Sequence, residues 1–150
     1  MEALVEVALE FGEVKFAAPD RERSACGHAM TLNDPLRTKD VIIHGVEGCE
    51  VSGVPVDCVN VGLTVLWPEG CDLVLSGINN GPNLGFDITY SGTVAGAMEA
   101  CINKIPALAF SMGVLNHKDP VHFETAQQWI RENLKYLLAL ELPPRTFLNI

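Results

Sequence analysis

Residues 76–85 read Ser76-Gly77-Ile78-Asn79-Asn80-Gly81-Pro82-Asn83-Leu84-Gly85, and Ser91-Gly92-Thr93 follows after a short interval. The glycines and asparagines suit a loop whose backbone approaches a ligand closely. The preceding residues 72–75 predict a buried strand, and the small residues 93–101 predict a helix. Free N–H groups at that helix start predict a phosphate site at Ser91, Gly92 and Thr93, with Asn83 nearby.

The spacing of these glycines excludes two common nucleotide-binding motifs. Gly77, Gly81 and Gly85 are four positions apart, so no Gly-x-Gly-x-x-Gly fingerprint is present, and no Gly-Lys-Ser/Thr ends the run as in a Walker loop. A simpler interpretation stays open: the run also fits an ordinary Gly/Asn-rich turn followed by a helix cap.

Working outward from this run, helical and strand patterns alternate along the chain. Helices are predicted at residues 3–11, 55–66, 93–101 and 123–140, and strands at residues 14–18, 41–43, 49–51, 72–75, 107–111 and 146–150. The strands at 41–43 and 49–51 also fit a hairpin. Alternation of this kind predicts one α/β domain over residues 1–150, with a doubly wound, mostly parallel, Rossmann-like sheet and helices on both faces. Ligands of such folds bind at the carboxyl ends of strands.

Composition excludes several classes of partner. The net charge is -9 and only 10 residues are Lys or Arg, so duplex nucleic acid is not expected to bind. No apolar run reaches the ~20 residues of a membrane helix, so a cytoplasmic protein without membrane contact is expected. The five cysteines form no Cys-x-x-Cys pair and are predicted to be small core residues. They are Cys26, Cys49, Cys58, Cys71 and Cys101.

Two further segments give the chain a family resemblance. Residues 18–31 read Ala18-Pro19-Asp20-Arg21-Glu22-Arg23-Ser24-Ala25-Cys26-Gly27-His28-Ala29-Met30-Thr31, and residues 53–59 read Gly53-Val54-Pro55-Val56-Asp57-Cys58-Val59. Together with Ser-Gly-Ile-Asn-x-Gly-x-Asn-x-Gly and the following Ser-Gly-Thr, these blocks resemble the SurE family of metal-dependent 5'(3')-nucleotidases. The resemblance covers most of the chain, from about Leu4 to Ile150.

The resemblance implies a divalent cation, Mg²⁺ or Mn²⁺, held by two adjacent aspartates, a serine and an asparagine. The serine and asparagine match Ser24 and Asn79. In the family the aspartates belong to an Asn-Asp-Asp-Gly motif at the end of the first strand, and this sequence has no such motif. The chain is therefore expected to lack the first strand, which would lie centrally in the sheet, and also the C-terminal region that builds the oligomer.

The function implied by the resemblance is a metal-dependent phosphomonoesterase. Its substrates would be nucleoside monophosphates or other small phosphomonoesters, and the full-length protein would be a homo-oligomer. The alternative is a non-catalytic phosphate- or nucleotide-binding domain, or an inactive partial domain, because the acidic metal ligands are absent.

Other polar residues near the three blocks keep two interpretations each, and no catalytic residue is assigned. His28 is either an acid or base or a structural side chain, and Asp87 either faces the metal or forms a turn. Asp20 and Arg23 either orient the Ser24 loop or reach a phosphate, or they form a surface ion pair, which is the commoner use of such residues. Asp57 is expected to support the first turn of its helix. The sequence assigns no role to His44, His117 and His122.

Overall fold

The computed structural model describes residues 1–113 and 121–150, so His117 lies outside the described residues. The elements in chain order are α1 Glu2–Ala8, β1 Phe16–Pro19, β2 Thr38–Ile43, β3 Val46–Val51, α2 Pro55–Val61 with a wider helical turn Gly62–Leu66, β4 Val74–Asn79, a 3₁₀ turn Gly85–Tyr90, α3 Gly92–Ile102, β5 Ala107–Ser111, α4 Phe123–Leu138 and β6 Leu148–Asn149. No helix within these ranges is both long and apolar enough to cross a bilayer.

The first sheet has the strand order β1-β3-β2. β1 pairs parallel with β3, whereas β2 and β3 form an antiparallel hairpin. His44 and Gly45 turn the hairpin with positive φ values of 50° and 80°. The hairpin interpretation of residues 41–51 is therefore confirmed.

The second sheet has the order β4-β5-β6, and both of its strand pairs are parallel. Helices cover its two faces. Leu108 and Phe110 pack with α1 and α4, and Ala107 and Ala109 pack with α3. This alternation follows from the two-residue period of a strand. The predicted α/β class with mostly parallel strands and helices on both faces is confirmed, with the described strands divided between two sheets.

The start of the Gly/Asn run differs from its predicted loop conformation. β4 extends through Ser76, Gly77 and Ile78 to Asn79. Gly77 has φ 131°, and a Cβ there would collide with the carbonyl oxygen of Phe110 on β5. Glycine is thus required by the close approach of β5. The composition of this segment resembles a loop although it lies within a strand, where the pairing with β5 is irregular between Ser76 and Asn79.

The cysteines only partly follow the core prediction. Cys49, Cys58 and Cys101 are buried, and Cys26 is partly buried. Cys71 is exposed, which contradicts its predicted core position. It lies in the short connection between the turn after α2 and β4, where no element covers it.

Candidate functional site

Ser91 caps the start of α3. Its Oγ accepts a hydrogen bond from the Val94 N–H at 3.1 Å, and its own N–H donates to the Ile88 carbonyl at 3.3 Å. Ser91 therefore contributes a cap rather than a free N–H group. The N–H groups of Gly92 and Thr93 have no carbonyl one turn earlier in the helix, so the predicted anion donors are these two.

Asn79 ends β4 and faces the same helix start. Its Nδ2 donates to the Gly81 carbonyl at 2.9 Å. Its Oδ1 accepts from the hydroxyl of Thr93 at 3.4 Å. The residue predicted to bind metal and a residue predicted to bind phosphate are thus in direct contact.

Asn83 is buried and holds the loop after β4 in place. Its Nδ2 donates to Oγ of Ser111 at 2.7 Å, and its carbonyl oxygen accepts from Nδ2 of Asn149 at 2.8 Å. These partners lie at the ends of β5 and β6. Its amide NH₂ group therefore makes a structural hydrogen bond, although the residue also lines the cavity described below.

Ser24 lies on the loop after β1. Its hydroxyl donates to Oε1 of Glu22 at 2.7 Å. The neighbouring Arg23 donates to Oδ1 of Asp20 at 3.0 Å and to the Ser52 carbonyl at 3.1 Å. The predicted Asp20–Arg23 ion pair is confirmed, and Arg23 also joins the loop to the end of the first sheet.

Asp57 fastens the far end of that loop. Its carboxylate accepts from the Val54 N–H at 2.8 Å, as expected for the first turn of α2. It also accepts from the N–H of Thr31 at 3.0 Å and from its hydroxyl at 2.6 Å. Asp57 is only 2% exposed, so these donors compensate a buried carboxylate.

The middle of the loop lies against α3. Nε2 of His28 is 2.9 Å from Oε2 of Glu99, a buried residue of that helix. A Cβ on Gly92 would lie only 2.7 Å from Sγ of Cys26, so the glycine allows the close approach of the thiol. Burial raises the pKa of the Cys26 thiol, which keeps it protonated at neutral pH.

One cavity of about 1270 Å³ collects most of these groups. It is lined by Ser24, Asn79, Asn83, Asp87, Ser91, Gly92 and Thr93. The edge strands β1 and β4 both border it, so Ser24 and Asn79 come from two sheets rather than from neighbouring strands of one. All the predicted phosphate and metal residues line this large cavity, and the contact described between the two sets is the hydrogen bond of Thr93 to Asn79.

The residues present fit part of the ligand set of a hard cation. Ser24 and Asn79 offer a hydroxyl and an amide oxygen, the ligand element that Mg²⁺ prefers. Both are neutral, and no group of three His, Cys, Asp or Glu residues within residues 1–113 and 121–150 is arranged to hold a metal ion. Carboxylates that line the same cavity include Asp87 and Glu22, and Glu22 already accepts the hydroxyl of Ser24.

The family model described as survival protein SurE matches residues 1–150. The chain belongs to the SurE family. It is 47% identical over all of its length to the 5'-nucleotidase SurE of Pelobacter propionicus, covering 59% of that protein. It is 45% identical over 99% of its length to the 5'-nucleotidase SurE of Geobacter sulfurreducens, covering 55%. The chain thus spans little more than half the length of these relatives.

A solved SurE structure shares the fold. The crystal structure of the SurE protein from Aquifex aeolicus superposes with a TM-score of 0.85 at 42% identity, over 98% of this chain and 58% of that one. The SurE resemblance drawn from the three sequence blocks is confirmed.

Some residues around the SurE site have no signal in the sequence. Glu99 falls in a run of small residues on α3, and Ser111 and Asn149 fall at strand ends far along the chain. Their roles depend on tertiary contacts with His28 and Asn83. Thr31 and Glu22, by contrast, lie inside the matched block 18–31.

Proposed function

We propose that this chain forms the phosphate- and metal-binding core of a nucleotidase that hydrolyses nucleoside monophosphates to nucleoside and phosphate. The observation that carries the proposal is the contact between Thr93 and Asn79 inside the cavity that Ser24 also lines. This contact supports a proposal in which one phosphate-binding residue and one metal ligand act at the same site. The two SurE relatives, both 5'-nucleotidases, support the same activity.

The start of α3 binds and orients the phosphate. The N–H groups of Gly92 and Thr93 point along the helix axis, where the dipole favours an anion, and they stabilise charge that develops on the phosphoryl oxygens. The oxygen of a water molecule bonds to phosphorus while the phosphorus–oxygen bond to the nucleoside breaks. The water gives up a proton as it bonds to phosphorus and the leaving nucleoside oxygen takes up a proton in its place, so the products are nucleoside and inorganic phosphate.

Ser24 and Asn79 are proposed as ligands of Mg²⁺ or Mn²⁺. When bound, such a cation polarises a phosphoryl oxygen and lowers the pKa of a bound water. Ser24 is not proposed as the nucleophile, because its hydroxyl donates to Glu22 rather than to an imidazole base. Carboxylate ligands are needed beside these neutral ones, and Asp87 is the first position to test.

The test is phosphate release from a panel of nucleoside monophosphates, with Mn²⁺ or Mg²⁺ added to metal-free protein. Ser24→Ala, Asn79→Ala and Asp87→Asn are compared with Thr64→Val, whose hydroxyl donates to Asn60 on an exposed helical turn. We expect metal-dependent turnover that falls at least tenfold in Ser24→Ala and Asn79→Ala and is unchanged in Thr64→Val. Phosphate binding without any turnover would instead support a non-catalytic binding domain. That alternative is motivated by the absence of an Asn-Asp-Asp-Gly motif from this sequence.

A further inference from the structure

The loop that carries Ser24 has no regular structure of its own between β1 and β2. Its ends are fixed by the ion pair of Arg23 with Asp20 and by the two hydrogen bonds from Thr31 to Asp57. Between these ends the backbone must be held by contacts with neighbouring elements. The position of Ser24 therefore depends on what the middle of the loop touches.

The middle of the loop touches the start of α3 and the end of the 3₁₀ turn that precedes it. The Gly27 N–H donates to the Tyr90 carbonyl at 2.9 Å, and Cys26 packs against Gly92. His28 reaches Glu99, seven positions after Gly92 and so on the same face of α3, about two turns or ~10 Å further along. The loop thus runs along one face of the helix whose first turn is the proposed phosphate site.

Glu99 gives this contact its strength. Its side chain is 8% exposed, and its other recorded contact among the described residues is a long one of 3.5 Å from Nδ2 of Asn103. A buried carboxylate is costly without a donor, and the imidazole N–H of His28 supplies one at 2.9 Å. His28 is consequently held against α3, and the loop is held with it.

We propose that His28 and Glu99 are positioning residues that dock the Ser24 loop onto α3 and so set the spacing between Ser24 and the phosphate donors of Gly92 and Thr93. The inference rests on the proposed function in one respect, which is the expected effect of docking on the affinity for metal. The docking itself is a property of the loop and is measured separately. Neither residue needs to touch substrate.

The experiment compares His28→Ala, His28→Gln and the double variant His28→Ala/Glu99→Gln with Met30→Ala, a half-exposed position on the same loop. The double variant removes the contact without leaving a buried charge alone, so it folds even if His28→Ala does not. Hydrogen exchange at the Gly27 amide reports docking, and Mn²⁺ calorimetry reports the site. Melting temperature is recorded for each variant.

We expect exchange at Gly27 and the Mn²⁺ dissociation constant each to rise about tenfold in the double variant, a typical cost of losing a group that orients a ligand. His28→Gln, whose amide can still donate to Glu99, should restore both values, and Met30→Ala should leave both unchanged. Wild-type exchange at Gly27 in the double variant overturns the inference, as does a lower melting temperature with unchanged exchange and affinity. If the unmutated chain binds no Mn²⁺, the proposed function fails, and exchange at Gly27 alone decides whether the pair docks the loop.

Discussion

The hydroxyl of Thr93 donates to Oδ1 of Asn79 across 3.4 Å, joining the first turn of α3 to the end of β4. This contact joins a position proposed to bind phosphate to one proposed to bind metal. Replacing Thr93 with valine keeps the shape and removes the hydroxyl. We expect affinity for phosphate and for adenosine monophosphate to fall by about two- to tenfold, because the neutral hydrogen bond that holds Thr93 against Asn79 contributes about 0.5–1.5 kcal/mol.

Isothermal calorimetry measures the loss, and Thr64→Val is the matched control because its hydroxyl bonds only locally to Asn60. Equal losses in the two variants would show that the Thr93 hydroxyl has no special place at the site.

The close approach of Cys26 to Gly92 makes Gly92→Ala destabilising. The added Cβ would lie 2.7 Å from Sγ of Cys26 and 2.9 Å from Cγ of Pro55. Overpacking of this kind costs about 1–3 kcal/mol of unfolding free energy. Urea denaturation of Gly92→Ala, Cys26→Ala and the double variant measures the coupling, and we expect the double variant to recover part of the loss. Strict additivity of the two changes would contradict the contact.

Ala25, next to Ser24, has a positive φ of 55°. Residues with a Cβ adopt this backbone conformation at a cost in free energy, whereas glycine does not. Ala25→Gly relieves this strain but adds freedom to the unfolded chain. We expect a net stabilisation of up to about 1 kcal/mol. Ala29→Gly is the control on the same loop, since Ala29 has no positive φ, and it should be neutral or destabilising in the same denaturation experiment.

The buried thiol of Cys58 is expected to lower the unfolding free energy at alkaline pH. Burial raises the pKa of its thiol from 9.0 to about 12. Between these values the unfolded chain loses the proton while the folded chain keeps it, so the unfolding free energy falls as pH rises by up to about 1.4 kcal/mol per pH unit. Denaturation midpoints of the unmutated chain and Cys58→Ala from pH 8 upward test this. The variant should show the shallower decline, and parallel curves would contradict the assignment.

How much of the fold and of the site can be predicted from the sequence depends on how far apart in the chain the interacting residues lie. The helical stripe of α4 and the β2–β3 hairpin arise from local periodicity and turn chemistry, so their patterns predict them. The end of β4 is different, because Gly77 is set by the carbonyl of Phe110 on another strand. Glu99 likewise acquires its role only when His28 is brought against α3. The two-sheet arrangement also depends on strand pairing, which no local pattern encodes.

The proposal that Ser24, Asn79 and the start of α3 form one metal and phosphate site is tested most directly by titrating Mn²⁺ into the ¹⁵N-labelled chain. Paramagnetic broadening identifies the amides nearest the ion. The account predicts that the amides of Ser24, Asn79 and Thr93 broaden first, and that Asn79→Ala removes the effect at all three. The chain carries a net charge of -9, so weak surface binding is the alternative. Broadening that begins at Glu2 and Glu6 on α1 and at Glu10 just after it, and is unchanged by Asn79→Ala, would contradict the shared site.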